Sequence, residues 1–320
     1  MPRSAPRKLK KATAITTDVV GDPVRAPQPL QTLSEWLRCP NCFLDLIPAG
    51  ELVLACAAGH RFDTNRRGYA SLVIGSRKLI GDSPAMLDAR DAFLEHGWYA
   101  DLRAALSALV AAESPRRVID IGCGTGYYLR GVLNAVSAAH IAEAGPDHGA
   151  GVRALAMDLS AAAVSRTVRA GVADRGTTTQ GLVADVWSPL PVRDAAADVA
   201  INVFAPRNPA EFHRILAPGA LLAVVLPHPS HLQELRAAGL ALEVHANKSA
   251  DLVASLGSGF DLESTQDLAR VLPLSPVDIA ALIGMGPSSH HAAQADADQP
   301  GASTPVTVAF RLLGFRRTGA

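Results

Sequence analysis

Long apolar runs are absent from this sequence. The longest, such as Ala220–Leu226, fall far short of the ~20 residues a membrane-spanning helix needs. The N-terminus is basic but lacks the continuous apolar segment of a secretory signal. Together these absences imply a cytoplasmic protein with no membrane partner. Net charge is absent too: 30 basic residues balance 30 acidic ones. A zero sum leaves a nucleic-acid partner open, because that requires only a local basic patch. Charged residues make up 19 % and hydrophobic ones 48 %, a globular balance that excludes wholesale disorder. Cysteine is scarce. Three of the four cysteines fall within Cys39–Cys56, interleaved with a His-bearing turn, and in a reducing compartment such clustering points to metal rather than disulfides.

The chain divides by composition. Residues 1–29 are polar, basic and Pro-containing, with Arg3, Arg7, Lys8 and Lys10 and no acid in the first ten, which predicts a flexible arm. Residues 30–78 form a small Cys/His-rich module, and 79–320 the main domain. Helical spacing marks Gly81–Trp98 and Asp101–Ala112. From Val118 onward, expected strands alternate with expected helices. The strands are Val118–Ile121, Ala154–Leu159, Gly181–Ala184, Asp198–Phe204, Ala220–Leu226, Thr265–Leu272 and Thr304–Phe315. The helices run from the first strand to about Ser137, then over Ala161–Ala170, Pro209–Leu216, Ser230–Leu240, Leu252–Ser255 and Pro276–Ile283. This alternation predicts an α/β, doubly wound, Rossmann-like sheet. His140–Gly151 reads as a Gly/Pro/Ala loop, and residues 287–303 as disordered.

The most informative segment is Val118-Ile119-Asp120-Ile121-Gly122-Cys123-Gly124-Thr125-Gly126. A short apolar strand runs into three glycines, which permit a tight turn and close approach of a ligand to the backbone. The spacing is G-x-G-x-G with an acid on the strand. A dinucleotide fold has G-x-G-x-x-G and neutralises a pyrophosphate. A Walker loop is excluded because no G-K-[ST] follows. S-adenosyl-L-methionine carries an ammonium and a sulfonium, and Asp120 complements both. Asp158, at the end of the second strand, occupies the position that accepts ribose hydroxyls in dinucleotide folds. Asp185, after the third, stands where an adenine amine is met. Each acid could instead cap a helix or sit solvated at a strand end. Cys123 has no feature of a nucleophile beyond its position.

Upstream, Cys39-Pro-Asn-Cys42 is followed after thirteen residues by Cys56-Ala-Ala-Gly-His60. Three thiolates and one imidazole suit tetrahedral zinc in a closed, structural site. The two knuckles bring the ligands together, and the intervening loop crosses between them as a hairpin. A module of some forty residues has little core of its own, so the metal would supply much of its stability.

In this order the two motifs resemble the bacterial 23S ribosomal RNA guanine-N1 methyltransferases, including the tylosin-resistance type. The likeness includes Gly59-His60-Arg61-Phe62-Asp63, Gly68-Tyr69-Ala70-Ser71-Leu72, Gly81-Asp82-Ser83, the glycine loop through Tyr128, Ala205-Pro206 and Pro229-Ser230-His231-Leu232. It spans residues from about 38 to 285. It implies a zinc module that helps recognise a 23S rRNA hairpin and a domain that methylates one guanine. Macrolide resistance enters as a physiological role by the same route. The resemblance assigns Cys39, Cys42, Cys56 and His60 to zinc, and Tyr99, Gly124–Gly126 and His231 to the cofactor, with Gly122 and Thr125 in the same loop.

Guanine N1 carries a proton, so an acceptor must act in the transfer. Candidates for the target-base pocket follow the fourth strand. There Asn202 would meet a base edge, Phe204 would stack and Pro206 would shape the loop. Asp82 is a further candidate, although Asp82 or Ser83 serves equally well as a helix cap. Arg61, Arg66, Arg67, Arg77 and Lys78, interleaved with Phe62 and Tyr69, would bind phosphates and stack bases. A target within a stem would have to be unstacked. Two other readings stay open: a small-molecule methyltransferase, and a non-enzymatic zinc-containing RNA-binding protein. A homodimer is also open.

Overall fold

The structure is a computed structural model that describes residues 29–73, 81–144, 151–171, 177–243, 245, 247–286 and 303–319. The expected arm (except Pro29), Arg77, Lys78 and the 287–303 segment (except Ser303) lie outside these residues.

The N-terminal module holds α1 (Pro29–Ser34) and four short strands, β1 (Ile47–Pro48), β2 (Val53–Ala55), β3 (Arg61–Asn65) and β4 (Tyr69–Ser71). The expected hairpin between the knuckles is β1–β2, antiparallel with Ile47 opposite Ala55. The main domain follows: α2 (Pro84–Glu95), α3 (Ala100–Ala111), β5 (Arg117–Ile121), α4 (Tyr127–Ala144), β6 (Val152–Asp158), α5 (Ala161–Gly171), β7 (Thr177–Val183), β8 (Ala197–Val203), α6 (Pro209–Ile215), β9 (Leu216–Pro227), α7 (Gln233–Ala237), α8 (Lys248–Leu256), β10 (Phe260–Leu274), α9 (Pro276–Gly284) and β11 (Thr304–Arg317).

Among the described residues the eleven strands form one sheet, in the order β1-β2-β3-β4-β7-β6-β5-β8-β9-β11-β10. From β4 to β9 the pairs are parallel, and β11 and β10 close the far edge antiparallel. The central strands are buried on both faces, so they read as near-continuous apolar runs. The chain winds outward from β5 through β6 to β7, then returns to place β8 on the other side of β5. That reversal opens a crevice beyond the carboxyl ends of β5 and β8, where ligands bind in open α/β sheets.

The core lies in two layers. On one face of the sheet, α3, α4 and α5 bury Leu102, Leu106, Leu129, Val132 and Val164. On the other, Phe212 and Ile215 of α6 pack with Ile119 and Leu155 of the sheet and with Leu33, Trp36, Leu37 and Leu54 of the N-terminal module. The module and the main-domain sheet therefore share one core, and β4 adds to β7 in parallel register.

Several elements differ from their sequence expectations. The segment His140–Ala144 is the last part of α4, not loop. Its alanines continue the helix until Gly145-Pro146 supplies a stop. Residues 145–150 lie outside the described ones. The helix expected from Gly81 starts at Pro84, and Ser83 caps it by accepting the Met86 N–H at 3.3 Å. The expected Ser230–Leu240 helix shortens to α7, preceded by Leu232 in the left-handed region at φ 56°. Strand β10 runs well beyond Thr265–Leu272 because its backbone pairs with β11 from Phe260 to Leu274, whereas its exposed side chains carry little apolar signal.

Candidate cofactor site and metal centre

The glycine loop leaves β5 at the crevice. Gly122, Gly124 and Gly126 adopt φ of 89°, 53° and 77°, the left-handed region that glycine occupies without penalty. The turn is pinned by N–H groups of Gly122 and Cys123 on the Met157 carbonyl, at 2.8 and 3.0 Å. Space is as restrictive as conformation. A Cβ on Gly122 would stand 2.3 Å from that of Ala205, and one on Gly126 would stand 2.8 Å from Thr167 Cγ2. Thr167, on α5, also donates its hydroxyl to the Gly124 carbonyl at 3.2 Å. Gly122→Ala is expected to lower stability by about 2–4 kcal/mol, combining left-handed strain with overpacking. It should also abolish cofactor binding. Thermal melting together with calorimetry checks both, and a variant that melts and binds like the unaltered chain contradicts the account.

Of the three acids predicted from sequence, Asp120 and Asp158 lie together at this loop. Asp120 is 2 % exposed, and among the described residues no cation pairs with it. Burial pushes its carboxyl well above the usual range, and the nearby charge of Asp158 pushes it further. Asp158 is raised as well, chiefly by burial, against the N–H donors of Ser160 at 2.8 Å and Gly124 at 3.0 Å. Asp120, buried with no counter-ion, and half-buried Asp158, whose neighbouring cation Arg90 is already paired with Asp82, leave an excess of negative charge that suits a cationic ligand. Buried polar atoms without partners include Thr125 Oγ1 in the loop, Asn202 Oδ1 on the neighbouring strand, and the Tyr99, Tyr127 and Tyr128 hydroxyls. Such atoms are costly unless something hydrogen-bonds to them.

Tyr99 ends the α2–α3 connection. It packs edge-on against Phe93 at 5.1 Å and Phe310 at 4.7 Å, with the His231 ring 6.4 Å away. Burial, with help from Arg236 and Lys248, lowers the His231 pKa to about 3. Its imidazole is therefore neutral at physiological pH. Its Nδ1 accepts the Ala309 N–H at 3.2 Å, which assigns the ring proton to Nε2.

Asn202, fully buried, directs Nδ2 to the carbonyls of Ile121 and Pro206, each at 3.1 Å. It ties the glycine strand to the segment after β8. Phe204 in that segment is 44 % exposed and has φ 54°. Its ring lies 5.5 Å from Phe310. Asp82 forms an ion pair with Arg90 at 2.6 Å, and the Asp82 carbonyl accepts the Ser160 hydroxyl at 2.8 Å. Arg90 also bonds the Met285 carbonyl and borders Gly124. Sequence reasoning missed Arg90, since an arginine inside a helix gives no local sign of what it reaches. Asp185 bends the chain after β7 by accepting the Trp187 N–H at 3.1 Å and the Ser188 hydroxyl at 3.2 Å.

The four expected metal ligands also meet. Their donor atoms all lie within 4.8 Å of one another. Cys39 Sγ and Cys56 Sγ stand 3.6 and 3.4 Å from His60 Nδ1, and Cys42 Sγ stands 3.6 Å from Cys56 Sγ. A tetrahedron with ~2.3 Å metal–sulfur bonds has sulfur–sulfur edges of about 3.8 Å, whereas a disulfide would need about 2.05 Å. The donor set therefore fits zinc. Of the basic stretch beside it, Arg61 and Arg66 are exposed, while Arg67 reaches the Ser165 hydroxyl on α5 at 3.1 Å. Among the described residues no helix is long and apolar enough to cross a membrane.

No family model matches the sequence. The chain is 38 % identical over 260 residues to the 23S rRNA (guanine(748)-N(1))-methyltransferase of Streptomyces fradiae, covering 80 % of this chain and 86 % of that one. It is 36 % identical over 303 residues to a Micromonospora griseorubida protein named as a 23S rRNA (guanine-N(1)-)-methyltransferase, covering 88 % and 97 %. Among solved structures, a loganic acid methyltransferase with SAH has a TM-score of 0.50 at 11 % identity over 75 % of this chain and 98 % of that one, a likeness of fold alone. With more than a third of the aligned residues identical over at least 80 % of this chain and 86 % of each relative, the chain belongs to the 23S rRNA (guanine-N1)-methyltransferase family.

Proposed function

We propose that this protein transfers a methyl group from S-adenosyl-L-methionine to N1 of a guanine in a 23S rRNA hairpin, acting in the cytoplasm. The carrying observation is the kinship to the Streptomyces fradiae enzyme over 80 % of the chain, joined to a glycine loop flanked by Asp158 and the unneutralised Asp120. When bound, the cofactor supplies an electrophilic methyl group on a sulfonium.

The remaining work falls to the chain. Asp120 balances the cofactor's positive charge. Asp158 keeps acceptor capacity for ribose hydroxyls beyond the two N–H groups it already binds. Asp185, although engaged in its own turn, borders the adenine side. Gly122, Gly124, Thr125 and Gly126 form the backbone cradle. Tyr99 and neutral His231 close the site and exclude water, and a neutral imidazole does not repel a sulfonium.

On the substrate side, Asn202 Oδ1 is a buried acceptor available to the base edge, Phe204 offers a ring face, and Pro206 fixes the turn. Asp82 acts through Arg90 and the loop rather than on the base. Zinc held by Cys39, Cys42, Cys56 and His60 stabilises the module, whose exposed Arg61 and Arg66 face the RNA.

Unmodified 23S rRNA transcript, incubated with protein and a methyl-labelled cofactor, should take up label and stop reverse transcriptase beside one guanine, because an N1 methyl blocks pairing. Label without a stop rejects the N1 assignment. Absence of label rejects the substrate.

A further inference from the structure

The exposed aromatic rings among the described residues are Phe43, Phe204 and Trp187. Phe204 and Trp187, at 44 % and 68 % exposure, follow β8 and β7 at the carboxyl edge of the sheet. Their segments are tied together, since Asn208 Nδ2 donates to the Val186 carbonyl at 3.0 Å. Phe204 holds a left-handed backbone, which a bulky residue adopts only under constraint. Trp187 has its backbone N–H fixed by Asp185 while its ring faces solvent.

Arg207 follows Phe204 by three residues and adjoins Asn208, whose side chain makes the tie to the Trp187 segment. It is half-buried, and one N–H donates to the Ala205 carbonyl at 3.2 Å. A guanidinium has four further donors, and among the described residues no carboxylate is paired with this one. The acids on the flanking segments are occupied. Glu211 is held by Arg214 and the Leu190 N–H, and Asp185 by its own turn. Burial alone lowers the Arg207 pKa, with no neighbouring charge to offset it. A half-desolvated cation with open donors, beside two exposed ring faces, matches a single-stranded nucleic-acid seat. The cofactor's positive charge is matched by Asp120, and the arginine that borders the glycine loop, within reach of a cofactor carboxylate, is Arg90, so Arg207 is left for an anion from the other reactant.

We propose that Arg207 clamps a backbone phosphate adjoining the target guanosine, while Phe204 and Trp187 stack unpaired bases on either side of it. This rests on the reading that the substrate is RNA. A bidentate guanidinium–phosphate contact fixes register, and the rings tolerate an unstacked strand.

The test measures affinity for unmodified 23S rRNA transcript between about 50 and 200 mM KCl for the unaltered protein and for Arg207→Gln, Arg207→Lys and Trp187→Ala. Cofactor affinity of each serves as the check on folding. Arg207→Gln should weaken binding about ten-fold and reduce the slope of log affinity against log salt by ~0.7–0.9, the value of one lost phosphate contact. Arg207→Lys should keep the slope. Trp187→Ala should weaken binding about ten-fold with the slope unchanged. An unchanged slope in Arg207→Gln overturns the proposal, as does a loss confined to cofactor affinity. Unaltered protein that methylates the transcript while Arg207→Gln keeps its slope refutes the clamp alone. A reduced slope in a protein that never methylates the transcript refutes the enzymatic reading alone.

Discussion

Asp120→Asn protein should bind S-adenosyl-L-methionine about a hundred-fold more weakly than the unaltered chain, yet melt at a higher temperature when no ligand is present. Both effects come from one carboxylate. Asp120 is buried at the end of β5 beside Asp158, and burial followed by that neighbour's charge raises its pKa well above the usual value. The folded chain therefore holds this proton more tightly than the unfolded chain does. The associated stability is complete below about pH 3.9, the unfolded value, and is lost as pH rises toward the folded value. The ligand-free protein loses stability over that rise because the carboxylate that forms has no partner.

Asparagine never ionises, so the difference in melting temperature between variant and unaltered protein should widen from pH 5 to pH 8. Removing one member of a buried charge pair costs ~2–5 kcal/mol of binding, and a hundred-fold loss lies toward the lower end of that range. S-adenosylhomocysteine lacks the sulfonium charge, so its affinity should fall less. Equal melting at pH 8, or an unchanged cofactor affinity, would falsify the charge-balancing role.

Metal removal should have the other large effect. Chelation, or Cys56→Ser, should release about one zinc per chain and lower the melting temperature by roughly 10 °C or more. Structural zinc contributes on the order of 10 kcal/mol to small modules, and 1 kcal/mol corresponds to ~2–4 °C in a domain of this class. The loss cannot stay within the module, because Cys39, Cys56, Trp36 and Leu54 pack in the same core layer as Ile119 and Phe212. Cys123→Ser is the control, since Cys123 lies in the glycine loop and should leave metal content unchanged. Elemental analysis beside a melting curve decides. Full metal content in the Cys56→Ser protein would remove zinc from these four residues.

Much of the site was legible because its determinants are local. The strand, the three glycines, Asp120 and Asp158 fall within one βα unit and the strand after it. The metal quartet is two short knuckles whose spacing is set by ligand geometry. The parts that could not be read arise from long-range packing. Nothing near Arg90 says that it would pair with Asp82 and border Gly124. Asn202 reads as a polar residue available to substrate, yet its amide nitrogen is spent on the Ile121 and Pro206 carbonyls. The joining of β4 to β7 was equally hidden, because three residues carry no pattern that names a partner over a hundred positions away.

That joining has a consequence for how the protein behaves in solution. Strand β7 is buried through most of its length, and among the described residues only the short strand Tyr69–Ser71 pairs with its outer side, opposite Gly181–Val183. A chain whose knuckles have let go of their ion would lose that cover and present β7 as a naked edge, a template on which a second molecule can add a strand. On the proposed zinc assignment, the Cys/His quartet near the N-terminus guards against self-association, and the hazard it restrains lies in a different part of the sequence.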